Sequence, residues 1–239
     1  AFPFTFQLMI GVGLHRAGGC VGKPVTGWLP AATFIALNLG SALLTIAILL
    51  GLKVSLVVMY PLPLVGAQMG IWSMGTVVLG FTGIYLVLAC MILCYPLLVL
   101  KMLFFGKKRP ELVLSERSLN EPGMLGMLLA AATLLLTGLP LVVVGTTLVL
   151  ALYKVIPMSL AAWAADPVVF QYTFFLFAHN LMEAMALMVA SAMYATLPLY
   201  LADGSRKLYS EKLANLALWV LLVTSVTSGL HHFITFYPN

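Results

Sequence analysis

The stretch GMLGMLLAAATLLLTGLPLVVVGTTLVLAL at residues 123–152 decides the fold, because it contains no charged side chain. A helix of about 20 apolar residues spans the ~30 Å hydrocarbon core of a bilayer, so this stretch predicts a transmembrane helix. Of the 239 residues of the chain, 62% are hydrophobic and 8% are charged, whereas a soluble domain carries roughly a quarter charged residues. The composition therefore excludes a large soluble domain and predicts a protein embedded in lipid.

Similar apolar runs lie on both sides of this stretch and predict an all-α, polytopic transmembrane helix bundle. We find no internal repeat, so residues 1–239 are expected to form a single bundle of about six spans. The predicted spans are 3–14 (partial), 28–51, 68–104, 123–152, 168–201 and 212–231. The chain opens in the middle of an apolar run and stops just after another one. We therefore expect it to be an internal segment of a longer protein.

The Lys and Arg residues are distributed unevenly between the predicted loops. The loops at 15–27, 105–122 and 202–212, with their flanks, hold ten of the twelve, and the other two loops hold only Lys53 and Lys154. Cytoplasmic loops of membrane proteins carry an excess of Lys and Arg. The pattern places these three loops in the cytoplasm, for a protein of the prokaryotic inner (cytoplasmic) membrane. It also accounts for the net charge of +5 without a nucleic-acid partner.

Four ionisable residues within the last two predicted spans are the candidates for chemistry: His179, Glu183, His231 and His232. His179 and Glu183 are four residues apart, so they lie on the same helix face, one turn from each other. The two spans run in opposite directions, which brings all four residues to compatible depths in the outer half of the bilayer. An ionisable group in hydrocarbon costs about 2.5–3.5 kcal/mol on insertion scales and usually faces a partner or a cavity.

Two arrangements would give these four ionisable residues the partners that they need inside the membrane. Three imidazoles and a carboxylate can bind a metal, and the hard carboxylate oxygen favours iron among the metals that imidazole suits. The alternative is a hydrogen-bonded His–Glu pair with two histidines at the membrane interface.

Another pair, Cys90 and Cys94, lies one helical turn apart in an apolar run. This pair is interpreted as small buried apolar residues, with a metal or redox pair as the alternative.

The segment FFLFAHNLMEAMALMVASAMYATLPLY at 174–200 holds a His followed directly by Asn, and WVLLVTSVTSGLHHF at 219–233 carries paired histidines near its end. A short basic turn separates the two. These three segments resemble the main catalytic subunit of the haem–copper oxidase superfamily, in particular its B-type members. The first is similar to the sixth helix of the family, where a His precedes Pro or Asn, and the second to the seventh helix, which ends in paired histidines. The resemblance covers roughly helices two to seven, about half of a twelve-helix subunit.

The resemblance implies that His179, His231 and His232 bind a non-haem iron or copper. Many oxidases of the family carry a tyrosine four residues after the first of these ligands, and this chain has Glu183 there. The nitric oxide reductases of the superfamily place a glutamate at that offset. The resemblance therefore implies that Glu183 is a fourth ligand or a proton carrier in a nitric oxide reductase-like variant. It also implies a haem, b-type or related, whose ligands lie outside this segment.

Tyr194 falls where B-type oxidases carry a proton-path tyrosine. Hydroxyl side chains that extend a polar track from the inside towards Glu183 are Thr196, Thr224, Ser225, Thr227 and Ser228. The alternative is that these hydroxyls bond to their own helix backbone, as they commonly do in membrane helices.

Three functions remain open at this point. The first is reduction of nitric oxide to nitrous oxide at a haem/non-haem metal centre. The second is reduction of O2 by a terminal oxidase that takes electrons from cytochrome c or quinol. The third is a non-catalytic or proton-conducting membrane subunit. The first two imply other subunits of a respiratory complex and an electron donor such as a cytochrome c, a cupredoxin or a quinol.

Overall fold

The computed structural model describes residues 7–8, 10–15, 18, 26–52, 73–105, 121–201 and 207–228. Within these residues the chain forms helices and no β-strand, which confirms the predicted all-α class. The helices are α1 (Trp28–Leu49), α2 (Met74–Ala89), a π-helical turn (Cys90–Cys94), α3 (Tyr95–Phe105), α4 (Pro122–Leu152), α5 (Met158–Ala161), α6 (Pro167–Thr196), a 3-10 turn (Leu197–Tyr200) and α7 (Glu211–Ser228).

Four helical segments of the described residues are long and apolar enough to cross a membrane. They are Trp28–Leu49, Met74–Lys101, Pro122–Leu152 and Pro167–Thr196. This confirms an integral membrane protein. Of the first predicted span, residues 7–8 and 10–14 are described and are helical. In the sixth predicted span the described helix α7 ends at Ser228, and residues 229–231 lie outside the described part.

The helix beginnings follow local sequence signals. Asp166 caps α6 by accepting hydrogen bonds from the N–H groups of Val168 at 2.9 Å and Val169 at 3.0 Å. Pro167 then occupies the first turn, where the N–H it lacks would have no helical partner. Ser73 caps α2 in the same way through the N–H of Thr76. These caps determine the residues at which α2 and α6 begin, and therefore how far along each helix axis every later residue lies.

Pro96 explains the π-helical turn between α2 and α3. Proline has no N–H, and its ring clashes with the carbonyl four residues earlier, here that of Ile92. The turn before it widens, and the Tyr95 N–H donates to the carbonyl oxygen of Cys90, five residues back. Ile92 is fully buried and packs against Gly138 of α4, where an added Cβ would lie 2.4 Å from the Ile92 side chain.

Glycines let the helices approach closely. Helix α1 packs along α2, and a Cβ on Gly40 would lie 2.8 Å from the carbonyl oxygen of Gly83. Helix α4 packs along α6, and a Cβ on Gly126 would lie 2.8 Å from the Cβ of Ser191. Small residues at such contacts are typical of membrane helices, where close van der Waals packing drives association.

Candidate metal centre

His179 and Glu183 lie on α6, one turn apart, in the geometry that their four-residue spacing predicts. The imidazole Nε2 of His179 is 4.0 Å from the carboxylate Oε1 of Glu183. Their side chains are 20% and 28% exposed, so both sit at the edge of the buried face of the helix. Two donors bound to one ion at about 2.0–2.2 Å each lie roughly 3–4 Å apart, which this pair satisfies.

The buried face of α6 lies beside this pair and holds the helix against α4. It includes Phe177, Asn180, Ala184, Leu187 and Ser191. The Ser191 hydroxyl donates a hydrogen bond to the backbone carbonyl oxygen of Gly123, which ties α6 to the first turn of α4. Because α6 is anchored on both α4 and its own N-cap, the direction in which His179 and Glu183 project is set by packing on the adjacent face of the helix.

Asn180, which follows His179 in the His–Asn motif, is a polar residue whose burial the sequence patterns did not predict. Its side chain has no exposed surface, and Nδ2 donates to the carbonyl oxygen of Leu176 at 2.8 Å. The Oδ1 atom has no hydrogen-bond partner among the described residues. The sequence signal was present, since an Asn directly after His179 is an uncommon polar residue in an apolar run.

Leu218 of α7 packs beside Gly126 of α4, where α6 also packs. Its Cδ2 atom would lie 3.2 Å from a Cβ on Gly126, at the point where Leu187 and Ser191 of α6 also meet that glycine. Leu218 is therefore level with Leu187–Ser191. From there the described part of α7 continues for ten residues to Ser228, which is about 15 Å of helix.

His231 and His232 follow three and four residues later and lie outside the described residues. Within the described part of the chain, no three His, Cys, Asp or Glu side chains come together as a metal site. The structure therefore brings together two of the four predicted ligands, His179 and Glu183. These two donors fit a metal by their distance, their burial and their mixed nitrogen and oxygen chemistry.

The predicted proton-path residues form hydrogen bonds within their own helices. The hydroxyl of Thr196 donates to the carbonyl oxygen of Ala192 at 2.8 Å, that of Thr224 to Val220 at 2.9 Å and that of Thr227 to Val223 at 3.0 Å. The buried Ser225 hydroxyl donates to the carbonyl oxygen of Leu221.

The other two predicted proton-path residues are Tyr194 and Ser228. Tyr194 is half-buried and packs against the hydrophobic core. Ser228 is the last residue of α7, and its side chain lies outside the described part. The donor hydrogens of Thr196, Thr224, Ser225 and Thr227 are thus engaged locally, while their oxygens keep lone pairs that can accept a hydrogen bond.

Comparison with known proteins adds one match. No curated protein and no solved structure matches the chain. The family of cytochrome c and quinol oxidase polypeptide I matches it over residues 1–238. This range includes His179, Glu183, His231 and His232, the residues that carry the resemblance in sequence. The chain therefore belongs to the cytochrome c and quinol oxidase polypeptide I family, the main subunit of the haem–copper oxidase superfamily.

Proposed function

We propose that the subunit containing this chain reduces nitric oxide to nitrous oxide, in the reaction 2 NO + 2 H⁺ + 2 e⁻ → N2O + H2O. The observation that carries the proposal is the pairing of Glu183 with His179, with 4.0 Å between the carboxylate and the imidazole. A carboxylate at that position supplies a hard anionic oxygen ligand, which favours iron over copper. A tyrosine there would supply a phenol instead.

His179, Glu183, His231 and His232 are the proposed ligands of the non-haem iron or copper. When bound, the haem and the non-haem metal supply the electrons and the Lewis acidity that the reaction requires. The haem ligands are proposed to lie outside this segment. The chain itself contributes fixed nitrogen and oxygen donors on α6, held at one height by the Asp166 cap and by the Ser191–Gly123 hydrogen bond.

Glu183 also has a proposed role in proton delivery. Its carboxyl group lies beside the imidazole of His179, 4.0 Å away, and a positioned carboxylate is a common proton carrier. Protons are proposed to arrive from the cytoplasmic side through Tyr194 and the hydroxyls of Thr196, Thr224, Ser225, Thr227 and Ser228. The intrahelical bonds of Thr196, Thr224 and Thr227 leave their hydroxyl oxygens as acceptors in such a track.

The second candidate function is reduction of O2. The family name favours it, since it describes cytochrome c and quinol oxidases. In that case the electron donor is a cytochrome c, a cupredoxin or a quinol, and the site works without a tyrosine at position 183. Either reaction places the subunit in a respiratory complex, which we propose lies in a prokaryotic cytoplasmic membrane with the loops at 15–27, 105–122 and 202–212 inside.

The deciding experiment measures NO and O2 consumption by the purified complex as wild type and as Glu183→Ala. We expect wild type to consume NO faster than O2. In Glu183→Ala we expect NO turnover to fall by about 100-fold and the non-haem metal to be lost, in line with the 10–100-fold effects of weaker changes around metal sites. Glu211→Ala is the matched control, because Glu211 is an exposed carboxylate at the start of α7.

The outcomes separate the two candidate functions. If Glu183→Ala keeps both its NO turnover and its non-haem metal signal, Glu183 has no role in the reaction. Faster O2 than NO consumption by the wild type points to the oxidase instead.

A further inference from the structure

Lys154 follows the end of α4 in a backbone conformation that is unusual for a residue with a side chain. Its φ angle is 58°, in the left-handed region, and no other non-glycine residue in the described part of the chain has a positive φ. Helices that end in this way usually carry glycine at the left-handed position, because glycine has no Cβ to clash. Such a conformational cost is commonly found where the side chain has a function.

Gly51, which follows the end of α1, provides a comparison within the same chain. It too has a positive φ, of 97°. In both turns the N–H of the left-handed residue donates to a carbonyl oxygen three residues back, and the next N–H donates to one five residues back, at 2.8–3.0 Å. The turn can therefore be made with glycine, so ending the helix does not explain the lysine side chain after α4.

The surroundings of Lys154 combine one positive charge with an apolar surface. Lys154 lines an open cleft together with Met74 at the start of α2, Leu152 at the end of α4, and residues 155–158 of the following loop. Most of this loop is exposed, although its side chains are apolar. Lys154 is exposed as well and makes no ion pair with a carboxylate of the described residues.

The length of α4 places this cleft at the surface of the bilayer. The helix has 31 residues and is about 45 Å long, whereas the hydrocarbon core is ~30 Å thick. Lys154, beyond its end, therefore lies at the level of the lipid headgroups. Tyr153 and Trp163 are exposed in the same connection between α4 and α6, and such residues are enriched at this level of a membrane.

We propose that Lys154 and the cleft beside it bind one anionic phospholipid. The ammonium group pairs with the headgroup phosphate, and the apolar lining covers part of an acyl chain. Charge complementarity favours an anionic lipid, because a zwitterionic headgroup carries its own cation, which competes with Lys154 for the phosphate. The site goes beyond the proposed function and uses none of the candidate metal ligands.

The test titrates phosphatidylglycerol into the delipidated, intact complex and counts the bound lipids by native mass spectrometry. We expect Lys154→Gln to bind one phosphatidylglycerol about 5-fold more weakly than the wild type, the usual effect of one basic residue near a membrane surface. Lys154→Arg should bind as the wild type does, because it keeps the charge. Lys212→Gln is the matched control, because Lys212 is exposed at the start of α7, at the opposite end of the bundle.

Lys154→Gly provides a second variant that removes the charge. Glycine suits the left-handed conformation, so this variant should form the turn as Gly51 does, and haem absorbance checks that it assembles. Equal binding of phosphatidylglycerol and phosphatidylcholine by the wild type overturns the proposal. Unchanged phosphatidylglycerol binding in Lys154→Gln and Lys154→Gly also overturns it.

The same measurement detects a protein in place of the lipid. Loss of a protein subunit from Lys154→Gln, with its lipid count unchanged, overturns the proposal and assigns the cleft to a protein partner. Turnover of NO or O2 is not the readout, so failure of the lipid site leaves the reductase proposal standing, and the reverse also holds.

Discussion

The hydroxyl of Ser191 on α6 donates its hydrogen bond to the backbone carbonyl oxygen of Gly123 on α4, 68 positions away in sequence. Both groups are buried, and the bond lies where Gly126 allows the two helix backbones to come together. This polar contact between α4 and α6 lies twelve residues from His179, so it fixes the helix that carries the candidate metal ligands without touching them.

Ser191→Ala is expected to lower the stability of the bundle and to leave the ligand set intact. Hydrogen bonds between transmembrane helices contribute about 0.6 kcal/mol on average, and the buried Gly123 carbonyl loses its partner from α6. Thermal unfolding of the purified complex, followed by loss of helical signal, measures the change. Thr196→Ala is the control, because the Thr196 hydroxyl bonds within its own helix. Equal midpoints for the two variants would contradict this account.

Gly126→Ala is expected to destabilise the bundle more than Ser191→Ala does. The added Cβ would lie 2.8 Å from the Cβ of Ser191 and 3.0 Å from the carbonyl oxygen of Leu187, so α4 and α6 must separate. Overpacking of this kind costs about 1–3 kcal/mol. At Gly145 of the same helix, the nearest atoms to an added Cβ are 3.5 Å away, in ordinary contact.

Gly145→Ala is therefore the matched substitution, and its expected effect is neutral or stabilising, by up to about 1 kcal/mol of helix propensity. Unfolding of both variants under one set of conditions measures the difference between them. A Gly126→Ala complex as stable as Gly145→Ala would show that α4 and α6 are not tightly packed at this glycine.

Glu183→Asp and Glu183→Gln separate the two proposed roles of Glu183. Aspartate keeps the charge but is shorter by one methylene, so as a ligand it reaches less far towards the site of His179. Glutamine keeps the length and an oxygen donor but cannot carry a proton. If the carboxylate acts mainly as a proton carrier, Glu183→Gln should retain non-haem metal while NO turnover falls by about 10²–10⁴-fold, the usual contribution of a general acid or base.

If the carboxylate acts mainly as a ligand, metal content measured by elemental analysis should fall in both variants. Full NO turnover in Glu183→Gln would rule out the proton-carrier role.

Tyr194→Phe is expected to slow turnover by roughly 10-fold or more if the tyrosine relays protons, with no change in metal content. The ring is half-buried in the core, and phenylalanine keeps that packing while removing the hydroxyl. Tyr200→Phe is the control, because Tyr200 is 84% exposed just after α6. Turnover and its solvent isotope effect are measured together. Identical values in both variants would mean that protons bypass Tyr194.

The features that could be predicted from the sequence are those that depend on local spacing. Apolar length predicted membrane helices because every backbone group must be satisfied within the helix in lipid. The four-residue interval predicted that His179 and Glu183 share a face, and the structure places them 4.0 Å apart. The Ser191–Gly123 hydrogen bond could not be predicted from the sequence, because it depends on the relative translation and rotation of α4 and α6.

The shared site of His179 with His231 and His232 stays a prediction, since both histidines lie outside the described residues. The burial of Asn180 belongs to the features that the sequence patterns missed. Periodicity describes which residues share a face, but it does not say which face meets α4, and Asn180 lies on that face.

The π-helical turn before Pro96 affects how this chain should be aligned with its relatives. A π turn holds one residue more than the same length of α-helix, so the faces of α2 and α3 are out of phase by one position. A relative that lacks both the proline and the wide turn needs one residue fewer between Met74 and Phe105 to keep the same side chains inward. A single-residue gap in an alignment at Cys90–Cys94 would then preserve the structure, whereas an ungapped alignment would pair residues that point in different directions.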